Sequence, residues 1–185
     1  MHRRGSLHPT GRRRREASGP ALISAVLAGL AAVAAAATAA EPVHWRVVNV
    51  HDGDTLTALD AGNVQHKVRL EGIDAPELGQ PFGRVARDRL AELAKGKEAT
   101  IREHGKDRYG RVLASVAVDG DDLGRRLVAE GLAWHYTRYS KDAGLTAAER
   151  DARSAKSGLW ADREPVPPWE WRAGEKDRKR EAVPK

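Results

Sequence analysis

Arg69, Asp74 and Glu77 stand close together in K-V-R-L-E-G-I-D-A-P-E (Lys67–Glu77), a stretch that reads as a strand running into an Ala75-Pro76 turn. Asp54 lies upstream in D-G-D-T (52–55), and Tyr109 and Arg111 lie downstream in K-D-R-Y-G-R (106–111). Two aspartates offer hard oxygen donors, and an oxygen-only set with few protein ligands suits Ca²⁺ or Mg²⁺, which keep water in their remaining positions. Glu77, just past Asp74 and Pro76, is within reach of a water held by such a cation, where a carboxylate serves as general base. Arg69 and Arg111 carry permanently charged, forked donors that match phosphate oxygens and the extra charge of a pentacovalent transition state. Tyr109 adds a hydroxyl. Taken singly, each has a plainer reading: D-G-D is a hairpin turn, Glu77 a surface carboxylate, either arginine half of a surface ion pair. Together they point to metal-assisted attack of water on a phosphodiester.

Tyr136 and Tyr139, near Trp134, offer ring faces on which bases can stack. Trp134 itself reads better as a core residue. None of the histidines shows metal-ligand spacing.

The elements that must position these groups follow from pattern. Trp45–Val50 and Leu56–Leu59 are apolar, β-branched runs separated by the D-G-D turn, and a second turn at Asp60–Asn63 returns the chain as a third strand. Val68 and Leu70 face one side of it and Arg69 and Glu71 the other. An apolar stripe of Val85, Ala86, Leu90, Leu93 and Ala94 predicts a helix ending at Gly96. Strands at Ala99–Arg102 and Val112–Val118 flank the 106–111 loop. A second helix carries Leu123, Leu127 and Val128 up to Gly131, Trp134–Tyr139 is extended, and a third helix opens on a Thr146/Glu149 capping box and closes at Gly158. Five strands interleaved with three helices predict an α+β fold, a five-stranded OB-type barrel with three α-helices; the spacing alone also allows an open sheet. Pro165, Pro167 and Pro168 with Trp169 and Trp171 make a stiff segment that packs back onto the barrel. From Arg172 to Lys185 the chain is nearly all charged or small, which predicts no regular structure.

At 185 residues the chain is long enough for one domain. Its net charge of +6 is uneven: residues 1–40 hold six arginines and one glutamate of the 32 basic and 26 acidic residues, leaving 26 against 25 in residues 41–185. The body is therefore almost neutral, which excludes general basicity as the means of holding a polyanion. Arg3, Arg4 and Arg12–Arg15 precede an uncharged run from Ala21 to Ala40 with an Ala37-x-Ala39 pattern, the layout of a cleaved export signal; an uncleaved membrane anchor is the alternative. With no cysteine, an exported chain relies on its core and on any bound metal for stability.

The four motifs D-G-D-T, V-R-L-x-G-I-D-A-P-E, D-R-Y-G-R and G-L-A-W (131–134), in this order, resemble the staphylococcal nuclease-like (thermonuclease) family over about Arg46 to Trp160. P-V-P-P-W-E-W-R (165–172) is similar to the ending of exported bacterial members. The resemblance implies a signal at 1–40, an OB-fold nuclease domain at 41–160 and an extension at 161–185. It also implies Ca²⁺-dependent cleavage of DNA and RNA at the 5′ P–O bond, leaving 3′-phosphates, by a monomer with no stable protein partner. By motif, Asp54, Asp74 and the main-chain carbonyl of Ala75 hold one Ca²⁺, Glu77 is the base, Arg69 and Arg111 bind the scissile phosphate, and Tyr109 touches phosphate. Two departures stand out: Ala75 replaces the founding member's threonine, and the segment from Glu77 to the first helix is shorter and lacks a lysine-rich loop. The other class of reading is a silent OB module that binds nucleic acid or protein; such modules lose the carboxylates or arginines that this chain keeps.

Overall fold

The computed structural model describes residues 41–181, with side chains through residue 178. The expected export signal at 1–40 and the last four residues lie outside the described part.

β1 (Val43–Val50), β2 (Thr55–Leu59) and β3 (Gln65–Leu70) form an antiparallel meander, with Thr55 opposite Arg69. β5 (Glu98–Lys106) pairs with β1, and β6 (Val112–Val118) pairs with β5. β6 also runs parallel to β3, Val68 opposite Val112, and this pairing closes five strands into a barrel. In β6 the alternation is strict: Val112, Ala114, Val116 and Val118 are buried and the residues between them partly exposed. That is the period-two pattern of a strand with one face on a core. Val47, Leu56, Val68, Leu70 and Ile101 fill the interior with Leu90 of α1 (Gly83–Ala94) and Leu127 of α2 (Leu123–Ala129).

Outside the barrel, the two-residue strands β4 (Ile73–Asp74) and β8 (Trp134–His135) pair with each other, and β7 (Asp121–Asp122) pairs with the end of β6. α3 (Ala143–Ser154) and a 3₁₀ turn (Gly158–Ala161) pack around Trp134 and Trp160. The α+β barrel predicted from the sequence is thus present, with four corrections outside it. A fourth helix, α4 (Pro168–Glu181), occupies much of the stretch expected to lack regular structure. α3 is capped by the Asp142 side chain, which accepts from Leu145 N at 2.8 Å; Thr146 and Glu149 lie within the helix and bond the His135 ring and its backbone N–H instead. The same helix ends at Ser154, before Gly158. The extended run stops at His135, because Tyr139 N and Ser140 N both donate to the Tyr136 carbonyl and turn the chain.

Candidate active site

The turn between β1 and β2 is shaped by Asp52, whose side chain accepts from Asp54 N at 3.1 Å. Gly53 lets this turn lie directly on the segment after β4: a Cβ at Gly53 would stand 2.6 Å from the Ala75 methyl and 2.7 Å from that of Ala86. Two bonds complete the join, Leu70 N to the Asp54 carbonyl at 2.8 Å and Ala75 N to Asp54 Oδ2 at 2.7 Å. Asp74 reaches the same place from β4. Glu77 follows in a tight turn held twice by Gln80, which donates its N–H to the Glu77 carbonyl at 2.8 Å and accepts from Glu77 N at 3.2 Å. Gly83 sits against that carbonyl so closely that any side chain would overlap it, so the start of α1 fixes the Glu77 turn.

The charges meet at this mouth. Arg69 Nη1 donates to Asp54 Oδ2 at 2.8 Å and Nη2 to Asp74 Oδ1 at 2.9 Å, one guanidinium bridging both aspartates. Both carboxylates are buried, at 5% and 1% exposure. Burial pushes the Asp54 carboxyl from 3.8 up to about 7, helped by the charges of Asp52 and Asp74 and opposed by Arg69 and the Ala75 N–H. Negative charge here exceeds what Arg69 neutralises.

Arg111 approaches from the loop before β6, which the parallel β3–β6 pairing brings beside Thr55 and Arg69. Its Nε donates to Asp107 Oδ2 at 2.7 Å, and Nη1 reaches the Thr55 hydroxyl at 3.5 Å. That hydroxyl in turn donates to Asp54 Oδ1 at 3.1 Å. Asp107 is held below the usual carboxylate range: burial works upward, but bonds from the Arg111 side chain and from the Arg111 and Tyr109 backbone N–H groups outweigh it. Tyr109 is 70% exposed at the tip of this loop, with Arg108 and Arg111 over its ring. Among the described residues no hydrogen bond joins the Tyr136 or Tyr139 side chain to Asp54, Asp74 or Glu77. One face of Tyr136 is taken by Trp169, stacked at 5.1 Å and 4°, which leaves Tyr139, 68% exposed with Arg138 over its ring, as the more open of the two.

Two residues to which the motifs gave no role enter the site. Arg172, in α4, donates Nη2 to Asp74 Oδ2 at 2.7 Å and Nη1 to Glu77 Oε1 at 2.8 Å, with a longer contact to Asp74 Oδ1 at 3.2 Å. Gln80, 7% exposed, adds to its bonds with Glu77 a 2.6 Å bond from Nε2 to the Val166 carbonyl. A proline at the first helical position, Pro168, is the sequence signal that announces α4.

The donor set fits a hard divalent cation. It is all oxygen, buried and in negative excess, and each aspartate keeps one oxygen with a single partner among the described residues: Asp54 Oδ1 with the Thr55 hydroxyl and Asp74 Oδ2 with Arg172. Among the described residues no three acidic, histidine or cysteine side chains converge as a metal cage. An ion here would be completed by main-chain oxygen, water or substrate.

Residues 67–162 match the family model described as staphylococcal nuclease homologue. An uncharacterized endonuclease of Escherichia coli is 44% identical over 131 residues, 70% of this chain and 85% of the relative. One of Haemophilus influenzae is 44% identical over 71% of this chain and 74% of its own length. A staphylococcal-like nuclease of Arabidopsis thaliana is 41% identical over 57% of this chain and 33% of the longer plant protein.

Proposed function

The chain belongs to the staphylococcal nuclease homologues, and from that premise we propose that it is an exported, Ca²⁺-dependent nuclease hydrolysing phosphodiester bonds of DNA and RNA to 3′-phosphate products. The observation that carries this reading is the convergence of Asp54, Asp74 and Arg69 in one buried cluster, with Glu77 and Arg111 at its edge.

Asp54, Asp74 and the Ala75 carbonyl would hold one Ca²⁺, which would supply positive charge beside the phosphate oxygens and make a nearby water more acidic. Glu77, with its side chain 38% exposed, takes the proton of the attacking water. The water oxygen bonds to phosphorus, the bond from phosphorus to O5′ breaks, O5′ takes a proton from solvent and leaves as the 5′-hydroxyl, and the phosphate stays on the 3′ side. Arg69, oriented by its bonds to both aspartates, and Arg111, oriented by Asp107, bind the phosphate and the charge that builds on it. Tyr109 touches phosphate from the exposed loop, and Tyr139 offers its open face to a base. Tyr136 supports that ring edge-on, at 4.8 Å between centroids. The basic, then uncharged, then A-x-A order of residues 1–40 supports export.

End-group analysis of DNA and RNA oligonucleotides digested in Ca²⁺ tests this reading. Both are expected to yield 3′-phosphate and 5′-hydroxyl ends. Binding without cleavage in any divalent ion would instead identify a nucleic-acid-binding module, and 5′-phosphate ends would refute the bond assignment.

A further inference from the structure

We propose that Arg172 is a positioning residue of this site: delivered by α4, it fixes the Glu77 carboxylate against Asp74, so that the C-terminal helix completes a centre whose other parts come from the barrel. The inference rests on Glu77 acting as the base in the proposed function.

Glu77 needs such a partner. Its backbone is held by Gln80, but its carboxylate ends a flexible side chain, and among the described residues its only side-chain partner for that carboxylate is Arg172. A base that must meet one water in one direction loses effectiveness when it samples several rotamers. The Arg172 fork holds two carboxylates at once, Nη2 on Asp74 and Nη1 between Asp74 and Glu77, a planar grip that a lysine ammonium does not reproduce. Since Asp74 is also bridged to Asp54 through Arg69, the fork extends one continuous chain of bonds from Asp54 to Glu77.

The helix that carries Arg172 is anchored independently of that side chain. Trp169 stacks on Tyr136 and meets Trp134 edge-on at 5.6 Å, Pro168 is buried, and the Val166 carbonyl accepts from the same Gln80 that holds the Glu77 backbone. Bonds spanning 95 and 98 residues of sequence therefore arise from a docked segment, not from a charged tail meeting an acidic patch at random. Partial burial works against the charge of Arg172, but its bonds to Asp74 and Glu77 more than offset this and hold its pKa above the ordinary arginine value. Nor does Arg172 close the aspartate pair to a cation: it takes one hydrogen-bonding position on Asp74 Oδ2, beside its longer contact to Oδ1, and none on Asp54 Oδ1. A second guanidinium also lowers the negative charge that an incoming phosphodiester meets.

The test uses the full chain and its Arg172→Gln and Arg172→Lys variants, each also made with Glu77→Gln. The readouts are kcat and KM on a single-stranded DNA oligonucleotide, calorimetric Ca²⁺ affinity, and tryptophan fluorescence and melting midpoint as reports of α4 docking. Arg172→Gln is expected to lower kcat by about 10- to 100-fold, the cost of misplacing a reacting group, with Ca²⁺ affinity and KM within about threefold of wild type. Arg172→Lys should recover only part of the rate, and either change should cost little once Glu77 is already glutamine. An unchanged kcat in a docked Arg172→Gln protein would overturn the proposal, as would an equal loss in the Glu77→Gln background. Tighter Ca²⁺ binding with a faster rate at limiting Ca²⁺ would overturn it too, marking Arg172 as a competitor for the cation. A wild type that cleaves nothing removes the proposed function and this role together, whereas a cleaving wild type matched by Arg172→Gln removes the role alone.

Discussion

Two arginine–carboxylate networks lie in this domain, one between α1 and α2 and one at the barrel mouth, and their carboxyl groups respond in opposite directions. In the first, Glu130 accepts from Arg89 at 2.7 and 2.8 Å and from Arg126 at 2.6 Å. Those bonds, Arg89's foremost, hold its carboxyl below the usual range despite some burial, and Arg89 is raised in turn, chiefly by Glu130. At the mouth, Asp54 shares a single guanidinium with Asp74 under nearly complete burial, and its carboxyl rises to about 7. A glutamate held between two arginines is a finished structural tie. At the mouth, Asp54, Asp74 and Glu77 set three carboxylates against the guanidiniums of Arg69 and Arg172, and the charge left over is what a cation or a substrate would offset.

That contrast can be broken at several points. The largest effect is expected from Glu77→Gln, a loss of about 10²- to 10⁴-fold in turnover with the fold intact. Glu130→Gln, the matching change in the structural tie, should leave turnover unaltered, and steady-state kinetics on the two variants decides whether the networks differ in role. Arg111→Ala should cost about 10²- to 10³-fold in kcat, the usual loss of one transition-state donor; a change in KM alone would reduce Arg111 to a docking contact.

The folded carboxyl of Asp54 lies above its unfolded value, so between 3.8 and about 7 the native state holds more proton and the stability of the cation-free protein falls as pH rises through that window. Asp54→Asn should remove that slope, and calorimetric scans across the window would expose its persistence. The folded carboxyl of Glu130 is depressed, so its contribution is present above the unfolded value of 4.5 and fades as pH falls through the folded one. The smallest effect is therefore that of Glu130→Gln at neutral pH, a loss of about 1 kcal/mol or less, because Arg126 is 44% exposed and solvent screens the pair. In acid the two proteins should converge.

The barrel was legible because its strands are short, apolar and bounded by local turns, and β6 shows its alternation residue by residue. The grouping of Arg69, Asp74 and Glu77 was legible because all three lie at one strand end. α4 was not: beyond Trp169 and Trp171 its sequence offers no apolar stripe, and the helix is held by Trp169 against Tyr136 and Trp134 and by the bond from Gln80 to the Val166 carbonyl just before it. The charged composition after Arg172 described the solvent side of that helix correctly and its order wrongly. Arg172 was hidden for the same reason, since nothing near it in sequence indicates carboxylate partners more than ninety residues away. At α3, Thr146 and Glu149 formed a well-spaced capping pair, yet Asp142 took the cap and left both to hold His135. Competition between two adequate local signals was settled by packing against β8.

The central claim is that the acidic excess at the mouth is completed by a divalent cation to cut phosphodiester bonds. The direct measurement is the initial rate on single-stranded DNA in Ca²⁺, in Mg²⁺ and in chelator, for wild type and for Asp74→Asn. Rapid cleavage by wild type in Ca²⁺, abolished by chelator and restored by added Ca²⁺, with Asp74→Asn inactive throughout, is the expected result. Cleavage that continues undiminished in chelator, or that survives the loss of the Asp74 charge, would contradict the account.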